Sequence, residues 1–288
     1  MKALILVNAY AEKVNTRQVE RISDELKSRG VTVTARRNDF FPLEISGANI
    51  TSRGIDCDFC VYLDKDKYVA HLLEKNGVRL FNSARAIELC DDKMTTHITL
   101  SGNGITMPET LPGLLCYDKT KSPSDETVDY VISRLSLPIV VKQSYGSLGA
   151  GVFKADTRDE LKALCEKLKL EPHLFQKYIA SSHGRDMRVI VIGGKAVGAI
   201  IRESKCDFRS NIGLGGTAKQ AELPQDIKSA AEKAAEILGL DYCGIDFLLG
   251  ETPLLCEVNS NAYFDGFEGA TGINVAGLYA EHILNSIK

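Results

Sequence analysis

Residues 244–261 read GIDFLLGETPLLCEVNSN: two apolar runs around a Gly- and Pro-marked break, with Asp246, Glu257 and Asn259 set among them. Short apolar runs on either side of such a break predict an antiparallel β-hairpin. With residues 250–253 as the loop, Leu249 faces Leu254, and counting back brings Asp246 opposite Glu257. The two-residue side-chain period puts Asn259 on the face of Glu257. Like charges facing each other on paired strands repel, so the hairpin needs a partner for them. A hard divalent cation, Mg²⁺ or Mn²⁺, suits two carboxylates and an amide oxygen. Arginines such as Arg202 or Arg209 are the alternative partners, and solvation of one acid is a third.

Outward from this hairpin, the chain from residue 138 is rich in further ones. PIVVKQS (138–144) and GVFKAD (151–156) are strands joined by a glycine-rich loop. DELKALCEKLK reads as a helix and HLFQKYI as a strand; MRVIVI and KAVGAIIRE flank Gly193-Gly194, a two-residue hairpin signal. DIKSAAEKAAEILG (226–239) carries apolar positions 227, 230, 231, 234, 237 and 238 at helical spacing, ended by Gly239. Residues 272–288 read as a closing helix. The first third differs: ALILVN, RQVERISDELKSRG, VTVTAR, FCVYLD and DKYVAHLLEKNG alternate strand and helix patterns, which predicts a small parallel sheet flanked by helices. We place this α/β lobe at residues 1–91, with a helix starting at DKMTTHITLSGNG and a hinge beyond it.

The 288 residues are 44% hydrophobic and 25% charged, with a formal net charge of −3. That balance fits a soluble globular protein and gives no electrostatic footprint for nucleic acid or an anionic membrane. No run approaches the roughly 18 apolar residues of a membrane helix, and MKALILVNAY reads as a buried first strand rather than a signal peptide. The eight cysteines include one CxxC, at Cys57 and Cys60, with no second pair spaced for zinc. Reduced thiols and a cytoplasmic location are the expectation, with small-molecule or peptide partners.

VVKQSYGSLGAGVF (140–153) sets Gly146, Gly149 and Gly151 among Ser144 and Ser147, after Lys142 at a strand end. Successive glycines let backbone N–H groups converge on an anion, and a basal lysine adds a charge for phosphate. The stretch is not a Walker A loop, because no Gly-Lys-Ser/Thr follows it. By itself it is equally a surface turn.

Taken in order, Asp92-Lys93, Lys142 with its glycine loop, FQKYI, GRDMR, IIRESKCDFRSNIGLGGTA, IDFLL, EVNSN and TGINVA resemble the ATP-grasp superfamily, specifically its RimK-like carboxylate–amine ligases. The resemblance implies an α/β (α+β) ATP-grasp fold: the N-terminal lobe, then residues 92–288 as a lid subdomain (about 92–175) and a metal and substrate subdomain (about 176–288), clasping ATP. It implies that Lys93 and Lys142 contact phosphates under a lid of Ser144, Gly146, Ser147 and Gly149. Gln176, Lys177, Tyr178 and Ile179 would hold adenine, Asp186 the nucleotide, and Arg209, Ser210 and Asn211 the phosphates and acyl group. Asp246, Glu257 and Asn259 would be metal ligands, for two ions, while Lys142, Arg202 and Arg209 stabilise the transferring phosphoryl and acyl oxygens.

Three departures from the family pattern stand out. Lys177 replaces a usual glutamate, Ala150 a frequent lysine, and residues 260–266 (SNAYFDG) replace an Ala-Ser-Pro-Gly stretch near the acceptor. The resemblance implies a ligase that forms an acylphosphate from ATP and passes the acyl group to an amine such as glutamate. A small-molecule kinase and a non-catalytic ATP sensor are the alternatives on the same fold, and self-association, common in the family, stays open. No side-chain nucleophile is needed, so the cysteines have no assigned role. His173 and His183 are expected at the surface or in loops. Asn8, Ala9 and Tyr10, at the end of the first strand, are either a strand-to-helix loop or part of the substrate cleft. Asp246→Asn and Glu257→Gln are expected to stop turnover with the fold intact.

Overall fold

The computed structural model describes residues 1–39, 43–52, 54–146, 149–210 and 216–287. The chain begins as β1 (Lys2–Val7), α1 (Arg17–Ser28), β2 (Thr32–Arg37), a hairpin of β3 (Leu43–Ser46) and β4 (Asn49–Ser52), β5 (Phe59–Leu63), α2 (Lys67–Lys75), β6 (Arg79–Phe81) and α3 (Ala84–Asp91). Strands β2-β1-β5-β6 form a parallel sheet in that order. The amphipathic pattern sets α1: Val19, Ile22 and Leu26 share its buried face, and the Thr16 hydroxyl accepts from the Val19 N–H.

Next come α4 (Lys93–Leu100), β7 (Thr110–Pro112), α5 (Asp125–Leu135), β8 (Ile139–Gln143), β9 (Val152–Ala155), α6 (Arg158–Leu168) and β10 (His173–Lys177). The sheet β7-β10-β8-β9 is antiparallel. It has its own core, in which Val128, Val131, Leu161 and Cys165 of α5 and α6 pack on Val141 and Phe175. The remaining elements are β11 (Arg185–Ile192), β12 (Lys195–Glu203), β13 (Thr217–Ala221), α7 (Gln225–Leu238), β14 (Tyr242–Leu248), β15 (Leu254–Asn259), α8 (Asp265–Thr271) and α9 (Val275–Ile287). Here the antiparallel order is β13-β12-β11-β14-β15. Helix α9 folds back on α1, and one core joins Ile22 and Val61 of the first lobe to Tyr242, Phe264 and Tyr279 of the last. Helix α4 packs on α7 and β15, outside the lid sheet.

Several expectations change. Leu248, not Leu249, faces Leu254, yet Asp246 does pair with Glu257, because the register shifts by one residue between Phe247 and Asp246. The extra residue is Cys256, a β-bulge. His173 is no surface residue: it lies within β10, 5% exposed, its Nδ1 2.8 Å from the Glu171 carbonyl oxygen. The closing helix expected within residues 272–288 is present as α9, whereas α8, ended by Gly272 in a left-handed conformation at φ +71°, precedes it and was not foreseen.

Candidate active site

A cleft enclosing about 850 Å³, part of it open to solvent, runs between the lid sheet and the last sheet. From the lid side Val140, Lys142, Gly146, Gly149, Val152 and Gln176 line it; from the other side come Asp186, Arg202, Asp246, Leu248, Cys256 and Glu257. Lys93, at the first turn of α4, Lys177 at the end of β10 with Tyr178 and Ile179 after it, and Arg209 with Phe208 and Ser210 also line it. Charged groups thus share one cleft with the apolar surfaces of Val140, Val152, Ile179, Phe208 and Leu248.

Local structure explains how the lysines reach it. The Asp92 carboxylate caps α4 by accepting from the Met94 and Thr95 N–H groups, which places Lys93 at the helix start. Its backbone N–H donates to the Ser144 carbonyl at 3.0 Å, and its ammonium donates to the Gly146 carbonyl at 2.7 Å and approaches Glu257 at 3.6 Å. Burial pushes the Lys93 pKa down against the pull of Glu257. Ser144 is itself buried and acts on the cleft through this backbone bond. Lys142, also buried, donates to Gln176 Oε1 at 2.7 Å and lies 3.3 Å from Cys256 Sγ. Burial raises the Cys256 thiol pKa, with Lys142 opposing.

Asp246 is held by arginines. Arg188 donates to both its oxygens at 2.7 Å and Arg202 reaches it at 2.9 Å, while Arg202 also forks onto Asp186, and the Ser210 hydroxyl donates to Asp186. Burial alone would raise the Asp246 pKa, but the two guanidiniums outweigh it and hold the carboxyl below its ordinary value. The arginine alternative therefore holds for Asp246 in part, with Arg202 and the unforeseen Arg188 as partners. Arg209 pairs instead with Asp207 and donates to the Gly149 carbonyl at 2.6 Å, tying its loop to the glycine loop.

Other expected residues are placed as follows. Lys177 lines the cleft, but its N–H donates to the Glu109 carbonyl at 2.9 Å and its ammonium pairs with Glu109 at 3.2 Å. Tyr178 meets His183 through its hydroxyl and Phe208 edge-on at 6.4 Å. Asn259 is not part of the cleft wall described above; its side-chain nitrogen is buried without a hydrogen-bond partner. Ser147 and Asn211 lie outside the described residues. Asn8 binds the Asp64 carboxylate at 3.0 Å, at the carboxyl ends of β1 and β5, and Tyr10 is exposed.

Arg188, Cys256 and His97 are among the contributors that escaped the sequence, as are the apolar cleft residues Val140, Val152, Phe208 and Leu248. Arg188 sits opposite Asp246 in the β11–β14 pairing, a contact across 58 residues that no turn announces. His97 Nε2 lies 3.3 Å from the Cys256 carbonyl oxygen. Burial lowers its pKa to about 4, with Lys142 acting in the same direction.

Comparisons with known proteins place this architecture. It shares the ATP-grasp fold with the RimK domain protein ATP-grasp from Sphaerobacter thermophilus DSM 20745, at a TM-score of 0.74, 20% identity, and coverage of 98% of this chain and 99% of that one. A family model described as the RimK-like ATP-grasp domain matches residues 90–283, and the chain belongs to that family. It is 37% identical over 229 residues to beta-citrylglutamate synthase B of Danio rerio, covering 78% of this chain and 55% of that protein. To the probable alpha-L-glutamate ligase of Halorhodospira halophila it is 36% identical over 219 residues, covering 75% and 70%. The chain thus spans little more than half the length of the first of these relatives.

Proposed function

We propose that the protein is an ATP-dependent ligase that joins a carboxylate to an amino group, with glutamate as the leading amine. One observation carries the reading: in a RimK-like chain, Lys93 and Lys142 share a cleft with the Asp246 and Glu257 carboxylates. Glutamate is the leading amine because the names of both relatives, a beta-citrylglutamate synthase and an alpha-L-glutamate ligase, contain it. Lys93 and Lys142 would neutralise ATP phosphates, beneath the loop bearing Ser144, Gly146, Ser147 and Gly149. The backbone of Gln176, Lys177, Tyr178 and Ile179 would meet adenine between Val140, Val152, Phe208 and Leu248. Asp186, Ser210 and Asn211 would border the ribose and phosphates.

Asp246, Glu257 and Asn259 would hold Mg²⁺ or Mn²⁺. The residues fit such ions. Among the described residues no three His, Cys, Asp or Glu side chains gather into a metal-binding group, so this site would combine two carboxylates and an amide with phosphate oxygens and water, as Mg²⁺ sites commonly do. The unpartnered buried nitrogen of Asn259 becomes an oxygen on an amide flip, since the two ends are assigned by their bonds. Bound metal would supply charge neutralisation at the β- and γ-phosphates.

In the reaction, a substrate carboxylate oxygen attacks the γ-phosphorus and ADP leaves. The amine then attacks the acyl carbon, loses a proton, and phosphate leaves. Arg202 and Arg209 would stabilise the oxygens that gain charge in these steps. Positioning and charge neutralisation suffice, without a side-chain nucleophile. We place the protein in the cytoplasm, a setting that its eight free thiols favour; among the described residues no helix is long and apolar enough to cross a membrane.

The test incubates the protein with Mg-ATP, glutamate, and a panel of small carboxylates and peptides, following ADP and product mass together. A product lighter by one water than its two substrates, formed with one ADP, is the expected result. A phosphorylated product would make the protein a kinase, and ATP binding without ADP formation would leave either a substrate outside the panel or the sensor reading.

A further inference from the structure

Strand β15 departs from the alternation of an ordinary strand, whose consecutive side chains point to opposite faces. Cys256 and Glu257 are neighbours, yet both line the cleft. Leu255 and Val258 are three positions apart, yet both are buried in one core. The bulge produces both facts. Phe247 pairs with Leu255 and Asp246 with Glu257, so Cys256 has no residue opposite it. Continued without the bulge, the Phe247–Leu255 register would set Cys256 opposite Asp246 and carry Glu257 one position further along. The pairing of the two carboxylates therefore depends on one unpaired residue staying in place.

A bulge locally disrupts the ladder, and here a group from outside the sheet meets the carbonyl of the bulged residue. His97 is 6% exposed and its Nε2 is 3.3 Å from the Cys256 carbonyl oxygen. A carbonyl oxygen only accepts, so Nε2 must carry the hydrogen. His97 stands one helical turn after Lys93, on the same face of α4, and Lys93 approaches Glu257 at 3.6 Å. One helix thus grips two successive residues of the bulge, the carbonyl of the first and the carboxylate of the second.

We propose that His97 is a positioning residue for the metal site, clamping the Cys256 carbonyl so that Glu257 stays across from Asp246. The proposal rests on the reading of Asp246 and Glu257 as metal ligands. His97 touches neither metal nor substrate in this scheme; it acts through the backbone of β15.

The experiment measures Mn²⁺ binding to the ADP-saturated protein by electron paramagnetic resonance, and ADP binding in EDTA by calorimetry. The variants are His97→Leu, which lacks the donor, His97→Gln, whose amide can reach the carbonyl, and Glu257→Gln. Removal of groups that orient metal ligands typically costs 10–100-fold in affinity, so His97→Leu should weaken Mn²⁺ about tenfold. Metal-free ADP binding should stay unchanged, and His97→Gln should restore most of the loss. Wild-type Mn²⁺ affinity in His97→Leu overturns the proposal, and so does an equal loss of ADP and Mn²⁺ binding, which marks a general structural role. Wild-type affinity in Glu257→Gln overturns the metal reading itself, a separable outcome. Should His97→Leu fail to fold, His97→Asn, too short to reach the carbonyl, is judged by the same criteria.

Discussion

Asp246→Asn should cost stability as well as turnover, whereas Glu257→Gln should cost turnover alone. The side chain of Asp246 is 6% exposed and those of its partners Arg188 and Arg202 are 15% and 4%. Removing one member of a buried ion pair usually costs about 3–5 kcal/mol, because a charge is left without its counterpart. Arg202 keeps Asp186, and asparagine keeps one accepting oxygen, so the low end applies, about 3 kcal/mol. At roughly 2–4 °C per kcal/mol for a chain of this order of size, the melting temperature should fall by about 6–12 °C. Glu257 differs: its side chain is 29% exposed and 3.6 Å from Lys93, so its loss should cost under about 1 kcal/mol. Urea unfolding in EDTA, followed by circular dichroism, measures both. Since the Asp246 carboxyl lies below its ordinary value of 3.8, its contribution is complete above that value and is lost only as pH falls through the lower folded value. The difference between wild type and Asp246→Asn should therefore be flat from pH 8 to 5. An Asp246→Asn variant within about 0.5 kcal/mol of wild type, the range of ordinary surface changes, would refute the arginine clamp. The fold is expected to stay intact in both variants, with Asp246→Asn the less stable of the two.

Other substitutions probe the scaffold. Asn82 donates to the Tyr242 and Ser260 carbonyls at 2.7 Å and accepts from the Asp241 and Tyr242 N–H groups at 2.6 and 2.9 Å; Asn82→Ala should destabilise by at least about 3 kcal/mol, read by urea unfolding. Gly184 sits at φ +64°, and a Cβ there would lie 2.5 Å from the Ser204 carbonyl oxygen and 2.9 Å from that of Asp207. Gly184→Ala should therefore displace the loop carrying Arg209 and weaken ATP binding by roughly tenfold, about 1.4 kcal/mol, in calorimetry. In EDTA, His97, lowered to about 4 from 6.5, should make stability fall as pH drops from 6.5 to 4, because the unfolded imidazole takes up a proton that the folded one refuses. The total is on the order of 3 kcal/mol; His97→Gln should flatten the profile, and an unchanged slope in that variant would assign the pH dependence elsewhere.

What could be read ahead of the structure follows from how local each signal is. Repeating patterns within one element carried the first lobe: Val19, Ile22 and Leu26 mark the buried face of α1, and the apolar run of β1 is buried from Ala3 to Val7. Hairpins were legible because a short turn sets the partner. The hairpin of Asp246 and Glu257 shows the limit of that reasoning. Its ends were one residue out, with Leu248 rather than Leu249 opposite Leu254, and the bulge at Cys256 removed the error before it reached the carboxylates. A turn-based count has no means of seeing a bulge, whose maintenance depends on groups remote in sequence. One signal was nevertheless present: Leu255 and Val258, both apolar and three apart, break the alternation that an unbulged strand would show. Arg188 was hidden for the complementary reason, since its partner lies on a strand 58 residues away and the β11–β14 pairing is made only by the assembled sheet. Positions of the acids were therefore local information, whereas their charge environment was tertiary. That distinction gives the Asp246→Asn and His97→Leu comparisons their value: one removes a charge that the assembled sheet pairs, the other removes a clamp that holds the local register.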